Sequence, residues 1–453
     1  MYSGKTARRR ARWAAVALIG GAVAVGTAPA AQAAPATLHT QNARSSAGPV
    51  VAAADTPYQY APSVIKDGGT YRMWWCSTSP AGTAGGDDIL YAEASNPDGP
   101  FHAHGSDKPY QIVFQNDGSN GWDGQHVCDP SVVRVGDHYL MYYSGAPNDH
   151  GQQQGSETSI GVAQSADGIS WHPLSDQPII GPAHQRDNHN NYGAGQPSAV
   201  YRDGQIYLLF TDTTAAGDNP ANGAGQFAYR SADPAFASGV QVATKDGWQA
   251  RTSANDRQFS VAEAFTSDWQ YSDTLQSFVL AHNNDPGRTT LSFLSPSSPA
   301  TRTYQDVSFA SQWTEGPGLV STPDKHAIAG PACTTVPVDV VQSTGKTNNA
   351  PATLKHFGVD VVSDQDCASP SPSATTTDSP QPSHSAAPTH APSHSPSDPA
   401  SSTPAAAGHG GGGALPVTGT SLTVFVIAGL ALIAAGIVLF VLARRRRAGL
   451  SRP

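Results

Sequence analysis

Three carboxylates, Asp129, Glu263 and Glu315, stand at or near recurring positions of this sequence. Carboxylates that a fold brings face to face can divide a proton transfer between them. One, kept protonated, donates, and the other, ionised, accepts or attacks. Asp129 lies in Cys128-Asp129-Pro130-Ser131-Val132, Glu263 in Val261-Ala262-Glu263-Ala264-Phe265, and Glu315 in Glu315-Gly316-Pro317-Gly318-Leu319. Asp before Pro is also a common turn residue at a strand entry, and Glu-Gly-Pro can serve as turn punctuation alone. A charge inside an apolar strand opening, as at Glu263, needs a partner or an open funnel. Four further residues are suited to hold a polar ligand: Gln196, His126, Trp122 and Asp55.

These residues fall in register because the chain repeats. Tyr60-Ala61-Pro62-Ser63-Val64 recurs as Cys128-Asp129-Pro130-Ser131-Val132 and as Gly195-Gln196-Pro197-Ser198-Ala199. Each is followed by a polar turn and an aromatic strand: Met73-Trp74-Trp75, Met141-Tyr142-Tyr143, Leu208-Leu209-Phe210. The spacing is about 67 residues, one more step reaches Glu263, and a shorter fifth unit opens at Glu315. A long period with several short strands per unit is the mark of a β-propeller, here with five blades. Asp67-Gly68-Gly69, Val135-Gly136-Asp137 and Asp203-Gly204 supply the hairpin turns. Helix signals are nearly absent, and a β-sandwich would not explain a repeat held in register four times.

The blade openings, the aromatic second strands and Ser165-Ala166-Asp167-Gly168-Ile169-Ser170-Trp171 resemble the five-bladed propeller glycoside hydrolases of families 43, 32 and their relatives. The resemblance covers most of residues 50–330 and lies in pattern rather than in long identities. It implies an axial funnel into which each blade's inner strand points one residue. Glycosidic cleavage there takes one acid to protonate the leaving oxygen and one carboxylate to activate water or attack the sugar, roughly 6.5–9.5 Å apart in inverting enzymes. Family 43 places Asp, Asp and Glu on its first three blades, whereas the five positions here read Ala61, Asp129, Gln196, Glu263 and Glu315. The resemblance therefore implies Asp129 as base or nucleophile and Glu263 as acid, with Gln196 orienting the substrate. Glu315 sits in a motif like the family's general acid, but on another blade, and Asp55 is placed to supply the carboxylate missing at Ala61. His126 and Trp122 would contact the sugar, and no catalytic metal is implied. Some relatives hold a structural calcium ion in the axial channel. Ser165–Trp171 resembles a sialidase Asp-box, a structural hairpin without catalytic role.

Two functions follow. The first is hydrolysis of an arabinose-, xylose- or fructose-containing polysaccharide or oligosaccharide. The second is a catalytically inactive, carbohydrate-binding or adhesive propeller, favoured by Ala61 and Gln196 as the three acids favour the first.

The ends of the chain carry addresses. Leu415-Pro416-Val417-Thr418-Gly419, an apolar run over 422–443 and Arg444 to Arg447 together resemble the cell-wall sorting signal of Gram-positive surface proteins. In that family a sortase cuts after the threonine, here Thr418, and joins it to peptidoglycan. A run of about twenty residues is long enough for one transmembrane helix, and the arginines hold its end on the cytoplasmic side. At the other end Arg8, Arg9, Arg10 and Arg12, an apolar stretch and Ala31-Gln32-Ala33 form a signal peptide over 1–33. Between them lie a propeller over 45–367 and a disordered Pro/Ser/Thr-rich stalk over 368–414, too poor in large apolar residues to fold.

With 13% charged residues and a net charge of −9, the chain has no basic field for nucleic acid. The expected partners are carbohydrate, sortase and peptidoglycan, with the propeller monomeric. The four cysteines face an oxidising compartment and allow three pairings; Cys76–Cys128 and Cys333–Cys367 close the shorter loops.

Overall fold

The computed structural model describes residues 36–364, apart from 83–85, 148–157, 185–191, 218–224, 254–256 and 348–349. The expected signal peptide, stalk, Thr418 and membrane span lie outside the described residues. Within them every regular element is a strand.

The chain opens with β1 (Leu38–Ser45) and then builds five antiparallel sheets. The first holds β2 (Tyr60–Asp67), β3 (Thr70–Ser77), β4 (Asp88–Ala94) and β5 (Gln111–Phe114). The second holds β6 (His126–Val135), β7 (His138–Ala146), β8 (Ser159–Ser165) and β9 (His172–Pro173). In the third, β10 (Ala194–Arg202), β11 (Gln205–Asp212) and β12 (Gln226–Ser231) are followed by an extra hairpin, β13 (Gln241–Thr244) and β14 (Gly247–Ala250). The fourth runs β15 (Ser267–Ser272), β16 (Ser277–His282), β17 (Arg288–Leu294), β18 (Val307–Ala310). The fifth holds β19 (Glu315–Ser321), β20 (Thr335–Thr347) and β21 (Ala350–Ser363), and its outer strand is β1, antiparallel to β21.

The ring closes twice. The first strands of the sheets touch in the order β2, β6, β10, β15, β19 and back to β2, where Val320 and Ser321 pair in parallel with Val64 and Ile65. The N-terminal strand completes the C-terminal blade, so that blade is not left with an open edge on this side. The body thus begins at Leu38 or before, ahead of the Ser45 expected from sequence. An outer strand buries little, and β1 accordingly lacks the apolar alternation that marks the others.

The core is five slabs, one between each pair of consecutive blades. Trp74 and Tyr91 pack with Met141 and Tyr143 between blades one and two. On the other face of the same strand, Trp75 packs with Val320 and Val341 of blade five. Successive residues of a strand point to opposite faces, so strands between two interfaces must be apolar without a break. That explains the aromatic runs Met73-Trp74-Trp75 and Met141-Tyr142-Tyr143, all buried.

The repeated Pro-Ser motif is part of this assembly. The Val132 amide donates to Ser63 Oγ (3.0 Å), Ala199 to Ser131 (2.8 Å) and Trp269 to Ser198 (3.0 Å), each serine accepting from the next blade. In blade four Asp268 takes the serine's place, and its Oδ2 accepts from the Leu319 amide at 2.7 Å. Blade five has Gly318 there, because a Cβ would lie 1.9 Å from the Pro62 carbonyl of blade one. Two residues before the link the strand bulges in blades one, two, three and five, where Ala61, Asp129, Gln196 and Gly316 have positive φ, whereas β15 of blade four pairs without a bulge. Because the bulge recurs at Ala61, it belongs to the blade and is no sign of catalysis.

This register corrects the sequence reading. The position equivalent to Ala61, Asp129 and Gln196 is Thr266 in blade four, two before Asp268, and Gly316 in blade five. Glu263 precedes the inner strand β15, and Glu315 is one residue early. The extra β13–β14 hairpin lengthens the third unit, and blade four lacks the Pro-Ser marker.

One end of the axis is plugged. The segment Thr322–His326 after β19 receives amide bonds from Arg134, Tyr201 and Tyr271 of blades two, three and four, through the carbonyls of Pro323, Asp324 and Lys325. Lys325, fully buried, bonds the Asp268 carboxylate.

Candidate functional site

Toward the other end, where the inner strands begin, Ala61, Asp129, Gln196, Thr266 and Gly316 meet around the axis together with Glu315 and with Asp268, the partner of Lys325. They enclose a cavity of about 40 Å³. A water needs roughly 10–15 Å³ of such space, so the deep end admits a few waters or one protruding group. A whole ligand site is ordinarily about 300 Å³ or more, so a sugar would sit above this floor rather than within it.

Asp129 is 6% exposed and Glu315 5%. Asp129 Oδ2 accepts from Tyr192 Oη at 2.9 Å. Burial pushes the Asp129 carboxyl up from its ordinary value, and the bonds from Ser144 and Tyr192 only partly offset this. The phenols of Tyr60 and Tyr192 stay protonated far above their usual range, first through burial and then through nearby carboxylates. Asp129 and Glu315 act on both phenols, so the two acids share one electrostatic neighbourhood. Glu315 opens β19 opposite Ser343 of β20.

Beside this floor lies another buried acid, Asp87, whose oxygens accept from Tyr58 and Tyr60. His126 Nδ1 is 3.4 Å from Asp87 Oδ2, and its ring is partly exposed. The Cys76–Cys128 disulfide, one of the two expected pairings, ties β3 to β6 next to Asp129, whose amide donates to Cys76 Sγ. Cys333 is also disulfide-bonded, while its expected partner Cys367 lies outside the described residues. Ligand-type atoms of Cys76, Cys128 and Asp129, and of Asp87, His126 and Cys128, converge here. Both groups include disulfide sulfurs, which are not the thiolates that bind metals.

The other expected residues disperse. Glu263 is exposed and does not line the cavity; its carbonyl accepts from Asn284 Nδ2 at 2.8 Å. Asp55 accepts from Tyr110 Oη at 2.8 Å, away from the floor, and does not replace the carboxylate missing at Ala61. Trp122 stacks on Tyr143 with centroids 5.6 Å apart and belongs to the slab between blades one and two. Gln196 lines the cavity, its amide bonded to Ser144 Oγ at 2.8 Å, and its Oε1 is buried without a hydrogen-bond partner. The Ser165–Trp171 hairpin is structural as expected. Against some burial, the Ser170 and Ile169 amides hold Asp167 down to about 2, and Gly168 O accepts from both Trp74 and Trp171.

Sequence reasoning missed Asp87, Tyr60 and Tyr192. The only signal was the acidic doublet Asp87-Asp88 directly before an apolar strand, where a charge has to be satisfied inside. A calcium ion would need about six to eight oxygen ligands. Asp268, where the cavity meets the plug, does not fit as a ligand for one, because Lys325 already occupies both of its oxygens.

Residues 409–448 match the LPXTG cell wall anchor motif. A stretch of 115 residues is 34% identical to uncharacterised proteins of two Mycobacterium tuberculosis strains, covering 25% of this chain and 33% of each relative. The chain thus spans about a third of the length of the curated relatives it matches. Among solved structures, a family 117 glycoside hydrolase of the marine bacterium Zobellia galactanivorans superposes with a TM-score of 0.50 at 12% identity, over 73% of this chain and 93% of that one. The catalytic domain of a family 62 α-L-arabinofuranosidase of Coprinopsis cinerea gives 0.44 at 13%, over 72% and 98%. A family 43 enzyme of Xanthomonas citri gives 0.42 at 15%, over 70% and 90%. At such identities the likeness is one of fold. The chain carries the LPXTG cell wall anchor motif of exported, wall-attached surface proteins, and its described body is a five-bladed β-propeller with the fold of glycoside hydrolases.

Proposed function

We propose that this wall-anchored propeller hydrolyses glycosidic bonds in an arabinose-, xylose- or fructose-containing saccharide, with Asp129 and Glu315 as its carboxylate pair. The observation that carries the reading is that both acids are more than nine-tenths buried at one axial floor. Burying two carboxylates is costly unless the site uses them or compensates them fully. Asp129, whose carboxyl is pushed up from its ordinary value by burial, suits the acid that protonates the leaving oxygen as the C–O bond breaks. Glu315 suits the carboxylate that activates water or bonds to the anomeric carbon. Tyr60 and Tyr192, neutral donors beside both, would steady the charge as it moves. Glu263, expected as the acid, has no part in this assignment.

The test is a screen of chromogenic glycosides and glycans on the exported segment 34–367, scoring hydrolysis and binding separately. Turnover that Glu315→Gln abolishes while binding survives supports the pair. Unchanged turnover in that variant ends the assignment. A second reading, a non-hydrolytic glycan-binding surface protein, is favoured by Ala61 and Gln196 at two of the axial positions. Binding without hydrolysis throughout the screen would select it.

A further inference from the structure

The funnel end of the molecule carries one tryptophan whose environment differs from the rest. Trp74, Trp75 and Trp269 are fully buried and Trp171 nearly so. Trp122 stacks on Tyr143, and Trp248 lies edge-on to Tyr207 beneath the Arg230 guanidinium. Trp313 is partly exposed and, among the described residues, has neither an aromatic nor a cationic partner over its ring. Its place is nevertheless fixed, because Nε1 donates to the Asp285 carbonyl at 3.0 Å. It stands two residues before Glu315, on the segment that enters β19 at the open end of the axis.

The loop that anchors it, between β16 and β17, also holds the approach to β15, since Asn284 Nδ2 bonds the Glu263 carbonyl. One exposed stretch, Asn284 and Asp285, therefore joins the indole of Trp313 to the backbone at Glu263. An indole with its nitrogen tied down and its ring uncovered offers a flat apolar surface, and the exposed Asn284 side chain on the anchoring loop offers hydrogen bonds near it. A pyranose or furanose ring presents the complement: C–H groups on a face and hydroxyls around the rim. The small axial floor needs such a platform, because it can hold only the reacting edge of a sugar.

We infer that Trp313, with Asn284 on its anchoring loop, is the stacking platform that holds a neutral saccharide ring over the axial floor. The inference rests on the axial cavity being a saccharide site, but not on that site being hydrolytic. Trp313 is a binding residue and takes no part in proton transfer.

The test uses the protein released from the wall by a muralytic enzyme, titrated calorimetrically with arabino-, xylo- and fructo-oligosaccharides. Trp313→Ala should weaken binding of the recognised series by about tenfold or more. Trp313→Phe, which keeps a flat ring, should recover most of it. An unchanged thermal midpoint in both variants separates loss of the platform from loss of the fold. If the wild type hydrolyses a member, Trp313→Ala should raise KM and leave kcat nearly unchanged. Wild-type affinity in Trp313→Ala overturns the platform even where Glu315→Gln abolishes turnover. Loss of binding in Trp313→Ala, with no hydrolysis by the wild type, upholds the platform and overturns the hydrolase. A wild type that binds none of the three series overturns it as a saccharide site.

Discussion

Lys325 Nζ lies 3.1 and 2.9 Å from the two carboxylate oxygens of Asp268, where the plug of the propeller axis meets the wall of the axial cavity. Asp268 is also the link through which blade four accepts the Leu319 amide of blade five. The pair therefore fastens the plug to the ring. Both residues are buried, and removing one partner of such a pair leaves a charge without compensation. Lys325→Met should lower the unfolding free energy by about 3–5 kcal/mol, read from urea denaturation. A loss under about 1 kcal/mol would show that the plug does not hold the ring.

A second network should make stability depend on pH. His356 bridges Asp98 Oδ1 (2.7 Å) and Asp339 Oδ1 (2.8 Å), and Asp339 is held by Arg44 of β1, which also bonds Asp360. Burial alone would lower the imidazole's pKa, but the bonds to Asp339 and Asp98 outweigh it, and the pKa is raised. Burial likewise opposes ionisation of Asp339, but His356 and Arg44 hold it below its ordinary value. The stabilisation from His356 is complete below the unfolded imidazole value of about 6.5 and is lost as pH rises through the folded one. That from Asp339 is present at neutral pH and is lost on acidification. The thermal midpoint should fall between pH 6 and pH 9, and His356→Gln should flatten that limb. An equally steep limb in the variant would assign the dependence to other groups.

The carboxylate assignment predicts a pH–rate profile. If Asp129 is the general acid, activity falls as pH rises through its raised value. Asp129→Asn and Glu315→Gln should each cost about 10²–10⁴-fold in kcat, and the double variant little more, because the two act as one unit. Glu263→Gln should leave kcat near wild type. A kcat loss in Glu263→Gln matching that of Glu315→Gln would restore the acid read from sequence spacing.

The anchor can be tested in cells. Changing Leu415 or Pro416 in the Leu415-Pro416-Val417-Thr418-Gly419 motif should move the protein from the wall fraction into membrane or medium. Covalent attachment persisting in those variants would mean that Thr418 is not the site of transfer.

The sequence by itself determined the address and the architecture. The anchor motif is read as linear text, so no folding is needed to recognise it. The blades were legible because each interface slab demands apolar residues on both faces of the second strands, which leaves aromatic runs at a fixed period. The repeated Pro-Ser was legible as a repeat but not in its meaning, since a serine that accepts an amide from the next blade is written like any turn serine. Only the tertiary structure decided which acids share the axis. Counting about 67 residues onward gives Glu263, but an added hairpin and a missing marker shift blade four to Thr266. Asp87 and Tyr192 stand on connections between strands, where no periodicity constrains position. They reach Tyr60 and Asp129 only because the ring folds distant loops onto one end of one axis.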